Sequence, residues 1–405
     1  MKFTINALRS LFTVLTIIII FSMCFIPTGE AVLDLEKVEF KSKAALIMDY
    51  DSAEIIYSRN ENEKLFPASI TKIMTLLLAL EALERGDISL QDEVPITHNA
   101  AGMGGSQLFL SQGDVVDMES LLIGITVGSG NDASVAVAEY ISGSEGAFVE
   151  LMNERALELN MNNTSFINPT GLHHDEHYST AYDIALMGRE LLKHNLFFRW
   201  SKIWMNENFL EGRIRSGKVF LSNTNRMVRF YRGCDGIKTG YTREAGHSIA
   251  TTAKRNGTRF IAVVLNAPDS DTRYAEAASL LDYAFANFVS VSLKDDKEII
   301  TCLPVEKGNI LEVDIVAAQK ISFLLKKGEE ANYATEVVLP PSLKPPLAAG
   351  EAVGSFIVSH GDDIVKTIEL EVAQDVESAT FHLLFRRYLD AWLNFGRKIN
   401  TLKAH

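Results

Sequence analysis

The chain has 405 residues, with 39 Lys and Arg against 52 Asp and Glu and a formal net charge of −13. Hydrophobic residues make up 47% and charged residues 22%, a globular balance that excludes a disordered or collagen-like chain. The acidic surplus excludes a nucleic-acid partner, and three cysteines exclude a disulfide framework.

Residues 1–31 read as a secretory signal peptide. Lys2 and Arg9 precede the apolar run Leu11–Ile26, and Gly29 and Ala31 put small residues at −3 and −1 of a cleavage site. The run has 16 residues, short of the roughly 18 of a spanning helix, which favours cleavage over an uncleaved anchor. Phe21-Ser22-Met23 lacks the small residue a lipoprotein carries next to its cysteine, here Cys24. Ala45–Met48 and Ile55–Tyr57 flank the turn-rich Asp49-Tyr50-Asp51-Ser52 and predict a hairpin. Pro67 then opens a helix over 68–85, closed by Gly86, whose Ile70, Ile73, Met74, Leu76, Leu77, Leu78, Leu80 and Leu83 leave almost no polar face. Such a helix belongs inside a domain.

Further helices are predicted over 118–127, 133–141 and 146–159, the last with Ser144 as N-cap, and one from Thr180 to Leu192 with Asp183 placed as in a capping box. From Gly236 the period becomes extended: 236–242, 248–254 and 259–265 predict three strands, the last two joined by Asn256-Gly257. Residues 273–289 are helical again. Strands, then helices, then strands predict an α+β domain over 32–290 with helices packed on an antiparallel sheet. Short alternating runs and a cluster of prolines from Pro340 to Pro346 predict a small β-sandwich over 291–374. In the tail, 375–405, Phe381, Phe385, Tyr388, Trp392, Phe395, Ile399 and Leu402 recur at steps of 4 and 3, with Arg386, Arg387, Asp390, Asn394, Arg397 and Lys398 opposite. That amphipathic helix suits an anionic membrane surface; the plainer reading packs it on the protein's own core or on a partner.

Three short motifs carry chemistry. Ser69-Ile70-Thr71-Lys72 sits at the start of the buried helix, where positions three apart share a face and the Lys72 amine reaches the Ser69 hydroxyl. A buried lysine tends to lose its proton, which makes a general base for a serine without histidine. Ser129-Gly130-Asn131 projects a hydroxyl and an amide from a turn between two helices, and Lys238-Thr239-Gly240 adds a cation, a hydroxyl and a bare stretch of strand that a ligand can approach. Alone, each is weak. Together, in this order, they resemble the active-site set of class A β-lactamases and penicillin-binding proteins.

The likeness widens through 66–72, 129–133, Asn168-Pro169-Thr170-Gly171-Leu172, 178–181 and 235–242. The sequence resembles the low-molecular-mass penicillin-binding proteins that are serine-type D-alanyl-D-alanine carboxypeptidases, over nearly the whole chain after the signal. Cys234, the run Ala245-Gly246-His247-Ser248, and Ala53-Glu54 in place of a glycine depart from the family's commoner forms.

The resemblance implies a penicillin-binding serine transpeptidase fold, followed by a small all-β domain and a C-terminal amphipathic helix. It implies that Ser69 attacks the penultimate D-alanine carbonyl of a peptidoglycan stem peptide while Lys72 takes its proton. Ser129, hydrogen-bonded to Lys72 and Lys238, would pass a proton to the leaving D-alanine. The backbone N–H groups of Ser69 and Tyr241 would hold the oxyanion, Asn131 would orient the substrate amide, and Lys238 and Thr239, beside Gly240, would bind the terminal carboxylate. β-Lactams would acylate Ser69. No metal or organic cofactor is expected, and the implied location is the extracytoplasmic face of the bacterial cell membrane.

Two rival functions follow from the same residues. A class A β-lactamase would carry a glutamate three residues before Leu159, where Ala156 stands, and Asp where Gly130 stands. A penicillin-binding scaffold without turnover would lack catalytic residues that are all present here. His173-His174-Asp175-Glu176-His177 departs from the metal-binding H-E-x-x-H pattern and reads as a solvated loop. Cys234 and Cys302 fall in different predicted domains and read as unpaired, and Arg273 reads as a helix-surface residue rather than a cation of the site.

Overall fold

The computed structural model describes residues 35, 38–295, 297–328 and 333–402. The predicted signal segment lies outside them, and the C-terminal unit from Leu35 onward is one compact body. Its centre is an antiparallel five-stranded sheet. Strands β1 (Ala44–Asp49) and β2 (Ile55–Arg59) form the predicted hairpin. Two small ribbons follow, β3 (Glu93–Pro95) with β4 (Val115–Asp117) and β5 (Met205–Ile214) with β6 (Gly217–Ser222). Then β7 (Cys234–Thr242), β8 (Gly246–Arg255) and β9 (Thr258–Ala267) complete the sheet in the order β2-β1-β9-β8-β7.

Both faces of this sheet are covered, which is why β1 and β9 read as unbroken apolar runs rather than alternating ones. Ala44, Leu46 and Met48 of β1 point into one core, and Ala45 and Ile47 into the other. The first core holds α1 (Lys72–Arg85), α2 (Met118–Ile123), α3 (Asn131–Ser142), α4 (Glu145–Glu158) and α5 (Ala181–Leu191). The second is closed by α6 (Ser270–Asn287) through Ala277, Leu280, Leu281 and Ala284. Helix α1 is buried nearly all round, as its composition requires.

Three predicted boundaries shift. The helix expected over 118–127 is α-helical only to Ile123 and continues as a π turn, Gly124–Gly128. The helix expected from 133 starts at Asn131. The helical pattern of 273–289 stops at Asn287, where the chain becomes strand β10 (Phe288–Lys294). The β5–β6 ribbon was not predicted at all. Its strands are mostly solvent-facing, so hydrophobic alternation is weak there.

The later strands are β11 (Ile299–Pro304), β12 (Glu312–Ala317), β13 (Ile321–Lys326), β14 (Tyr333–Val338), β15 (Ala352–His360) and β16 (Asp363–Val372). They form a five-stranded sheet, β11-β12-β16-β15-β14, and a ribbon, β10-β13, which share a core of Ile315, Phe323, Val358 and Ile368 among others. Strand β13 alternates between two cores. Ile321, Phe323 and Leu325 face this one, while Leu324 packs into the core beneath α6. The chain ends in α7 (Phe381–Leu402). Among the described residues no helix is long and apolar enough to cross a membrane.

Candidate active site

The nucleophile candidate sits in a single 3-10 turn, Ala68–Thr71, that runs directly into α1. This turn is wedged between two glycines. A side chain on Gly240 of β7 would come within 2.7 Å of Pro67 O and 3.2 Å of Ser69 N. A side chain on Gly171, whose φ is +81°, would overlap Ala68 O at 1.8 Å. Gly240 therefore does more than admit a ligand: it lets the Ser69 turn lie against the strand.

Lys72 is fully buried one turn below Ser69. Its Nζ lies 2.6 Å from Asn131 Oδ1, 2.6 Å from Thr170 O and 3.1 Å from Ser69 Oγ. The first two partners can only accept. They use two N–H groups, and a neutral amine has just two, leaving its lone pair toward the Ser69 hydroxyl. Burial, and after it the nearby Lys238 charge, hold Lys72 well below the ordinary lysine range, with Asp132 opposing. Burial therefore favours the neutral amine, the form that can accept the serine proton.

Ser129 follows the π turn and adopts a left-handed conformation, φ 63°. Its Oγ is buried and has no hydrogen-bond partner among the described residues, and the same holds for Lys238 Nζ. The expected bonds from Ser129 to Lys72 and Lys238 are therefore not made. Burial and the Arg273 charge bring Lys238 down to about 7.

Asn131 opens α3. Its Oδ1 accepts from Lys72 and its Nδ2 donates to Gly104 O at 2.6 Å. The next residue, Asp132, was given no role by the sequence, yet its buried carboxylate accepts from Leu108 N–H and Leu110 N–H and so holds the 104–110 loop against the site. The family-like block around Asn168 also acquires a task. Asn168 Oδ1 accepts from Thr170 N–H and Gly171 N–H, fixing the turn that presents Thr170 O to Lys72.

Two expectations are corrected. Arg273 is not a surface residue: only 7% of it is exposed, because α6 packs across β8 and β9 and its first turn carries Arg273 to the paired Gly240 and Ser248 of β7 and β8. Its Nη1 lies 3.4 Å from Gly240 O and 3.3 Å from Ser248 O, and its Nη2 reaches Ser270 Oγ and the Tyr274 hydroxyl. His177 is not a solvated loop residue either. Its Nδ1 accepts from Ile167 N–H, so the proton is on Nε2, which donates to Thr71 Oγ1 at 2.8 Å. Burial and then the neighbouring charges lower His177 to about 4, so it is neutral and structural. Cys234 is buried and Cys302 exposed, and both are free.

Above these groups lies a cleft of about 460 Å³. Ser69, Ser129, Thr239, Gly240 and Tyr241 line it together with Arg273, while Lys72, Asn131 and Lys238 are buried. Tyr241 turns outward onto the His247 ring, 4.4 Å away. In a protein of net charge −13, Arg226 and Arg273 in this lining make a local anion-attracting wall.

The family profile described as D-alanyl-D-alanine carboxypeptidase matches residues 31–269, and that of the penicillin-binding protein 5 C-terminal domain matches residues 288–378. The chain belongs to the D-alanyl-D-alanine carboxypeptidase family. It is 38% identical over 356 residues to the Bacillus subtilis D-alanyl-D-alanine carboxypeptidase DacF, covering 88% of this chain and 91% of that one. It is 32% identical over 392 residues to Escherichia coli DacC, covering 92% and 96%. Among solved structures, penicillin-binding protein 5 from Haemophilus influenzae superposes with a TM-score of 0.73 at 29% identity, covering 84% of this chain and 99% of that one. Membership of this family fixes the activity class as a serine carboxypeptidase of cell-wall peptides, with the penicillin-binding fold and its C-terminal all-β domain.

Proposed function

We propose that this carboxypeptidase removes the terminal D-alanine of a peptidoglycan stem peptide through an acyl-enzyme on Ser69. The observation that carries the assignment is the fully buried Lys72 Nζ 3.1 Å from Ser69 Oγ, held there by Asn131 Oδ1 and Thr170 O. Ser69 attacks the penultimate D-alanine carbonyl and Lys72 accepts its proton. The oxyanion forms against the backbone N–H groups of Ser69 and Tyr241, donors whose fixed placement supplies a large catalytic term. The unpartnered Ser129 hydroxyl and Lys238 ammonium face the leaving group, where Ser129 passes a proton to its nitrogen. Lys238 and Thr239 bind the terminal carboxylate, and Arg273 reinforces that charge-assisted contact. Asn131 orients the substrate amide through its remaining N–H. Water then hydrolyses the ester. Penicillin acylates the same serine and is released slowly.

The tail supports a surface-bound location. Phe381, Phe385, Tyr388 and Trp392 are all exposed on α7. Arg387 is not part of the free basic face, since its guanidinium donates to Gly308 O and Asn309 O and ties the helix base to the β domain. An exported enzyme resting by this helix on an anionic membrane would stand next to its substrate.

Mass spectrometry of the penicillin-treated protein tests the nucleophile. The expected result is a single adduct on Ser69 that Ser69→Ala abolishes, along with D-alanine release from a D-Ala-D-Ala peptide. Retention of carboxypeptidase activity by Ser69→Ala would overturn the assignment.

A further inference from the structure

The run His173-His174-Asp175-Glu176-His177 ends in a residue unlike the rest of it. Leu172 to Glu176 are exposed, but only 2% of His177 is. Its ring lies between two segments that both reach the proposed base. On one side Nε2 donates to Thr71 Oγ1 at 2.8 Å, and Thr71 stands in the nucleophile turn immediately before Lys72. On the other side Nδ1 accepts from Ile167 N–H at 3.2 Å, three residues ahead of Thr170.

The stretch from Ile167 meets α1 at two further points. Thr75 Oγ1 donates to Pro169 O at 2.7 Å, and Lys72 Nζ donates to Thr170 O at 2.6 Å. Thr71 and Thr75 are four apart and Lys72 and Thr75 three, so all three contacts lie on one side of the same helical turn. Thr71 is also the residue that precedes α1, a position where a threonine hydroxyl ordinarily accepts from its own helix. Here it makes no such cap, and its fully buried hydroxyl is bonded to His177 instead. One rigid neutral imidazole thus supplies a donor to the nucleophile turn and an acceptor to the loop.

Resting on the reading of Ser69 and Lys72 above, we propose that His177 is a positioning residue for the base. By tying Thr71 to Ile167 it sets the spacing between the turn that carries Ser69 and the carbonyl, Thr170 O, that holds Lys72 Nζ. Among the described residues it makes no hydrogen bond to Ser69 or Lys72 and acts through these two segments. Without the ring, the Thr71 hydroxyl and the Ile167 N–H are left unpaired, and the segments shift until other groups or water pair them. Displacement of a reacting group by about 1 Å costs on the order of a hundredfold in rate, so a small shift of Lys72 from Ser69 Oγ is felt in the chemical step.

The test follows acylation of the full-length chain by penicillin in stopped flow, which separates the binding constant from the acylation rate. Each variant is measured below its own melting temperature. His177→Leu removes both hydrogen bonds, His177→Gln restores a neutral donor and acceptor, and Thr71→Val removes the acceptor while keeping the shape. His177→Leu should slow acylation at least about fivefold with the binding constant within about twofold, and His177→Gln should recover the rate to within about threefold of normal. Thr71→Val should also slow acylation, and adding His177→Leu to it should cost less than His177→Leu alone, because both cut the same connection. A loss below about fivefold in His177→Leu, a Gln variant as slow as the Leu variant, or losses that multiply in full would mean that the ring only fills space, and would overturn the proposal. If His177→Leu does not fold, Thr71→Val decides, and a normal acylation rate there overturns it. Failure of the unaltered enzyme to form an adduct on Ser69 would instead overturn the reading of Ser69.

Discussion

The proposed base, Lys72, and the proposed carboxylate-binding cation, Lys238, are both buried at this site, and their surroundings separate them. Lys72 has two acceptors for two N–H groups and no carboxylate within hydrogen-bonding distance, so charge on it is opposed. Lys238 Nζ has no hydrogen-bond partner among the described residues, and a substrate carboxylate beside it would favour its charge. Because Lys238 lies at about 7 in the free enzyme, its ammonium is lost as pH rises through that value, and carboxylate binding goes with it. The alkaline limb of the kcat/KM profile is expected near 7, since that profile reports free-enzyme groups. Lys238→Arg, which stays charged, should move the limb up by more than a unit while lowering the maximum. An unmoved limb would assign it to another group. Both lysines bind fewer protons folded than unfolded between their lowered values and the ordinary lysine value of 10.5, so folding stability rises with pH across that window.

Elements place these residues through close contacts rather than through the elements' own regularity. The π turn after α2 shifts the chain so that Ser129 leaves the helix in a left-handed conformation with its hydroxyl turned into the cleft floor. The Ser69 turn is held from both sides by chain that passes too close for a side chain. Gly171→Ala puts a methyl 1.8 Å from Ala68 O at a φ of +81°, so the turn must move. The expected cost is about 1–3 kcal/mol of stability together with at least tenfold slower acylation by penicillin. Thermal melting and stopped-flow acylation measure the two, and a variant that acylated at the normal rate would show that the loop does not hold the nucleophile.

Across the whole molecule, the ribbon β10-β13 couples the two domains. Leu324 enters the core beneath α6 while its neighbours enter the β-domain core. Ser290 donates to Asp49, and Lys320 pairs with Asp51. The β domain is thereby fixed on the sheet's β1–β2 side, with the catalytic cleft at β7 on the far edge. Helix α7 leaves that domain with its aromatic face exposed. Removal of residues 381–405 should abolish sedimentation with phosphatidylglycerol vesicles and leave D-alanine release from a soluble peptide unchanged. Retained sedimentation would place the membrane contact elsewhere.

The sequence alone determined the three proposed active-site triplets, the buried α1 and the α+β order, because these depend on local spacing: Ser69 and Lys72 are three apart, and the apolar residues of α1 leave almost no polar face. Those signals survive without any knowledge of the fold. Only the tertiary structure decided what lies across the chain from them. Arg273 looks like a surface residue until α6 packs across β8 and β9. His177 looks like a solvated loop residue until its ring is buried against Thr71. Asp132 and Thr170 carry no pattern because their partners are backbone groups from distant segments. Such roles follow from packing and from the need to pair buried polar groups, and neither is written in the spacing of nearby residues.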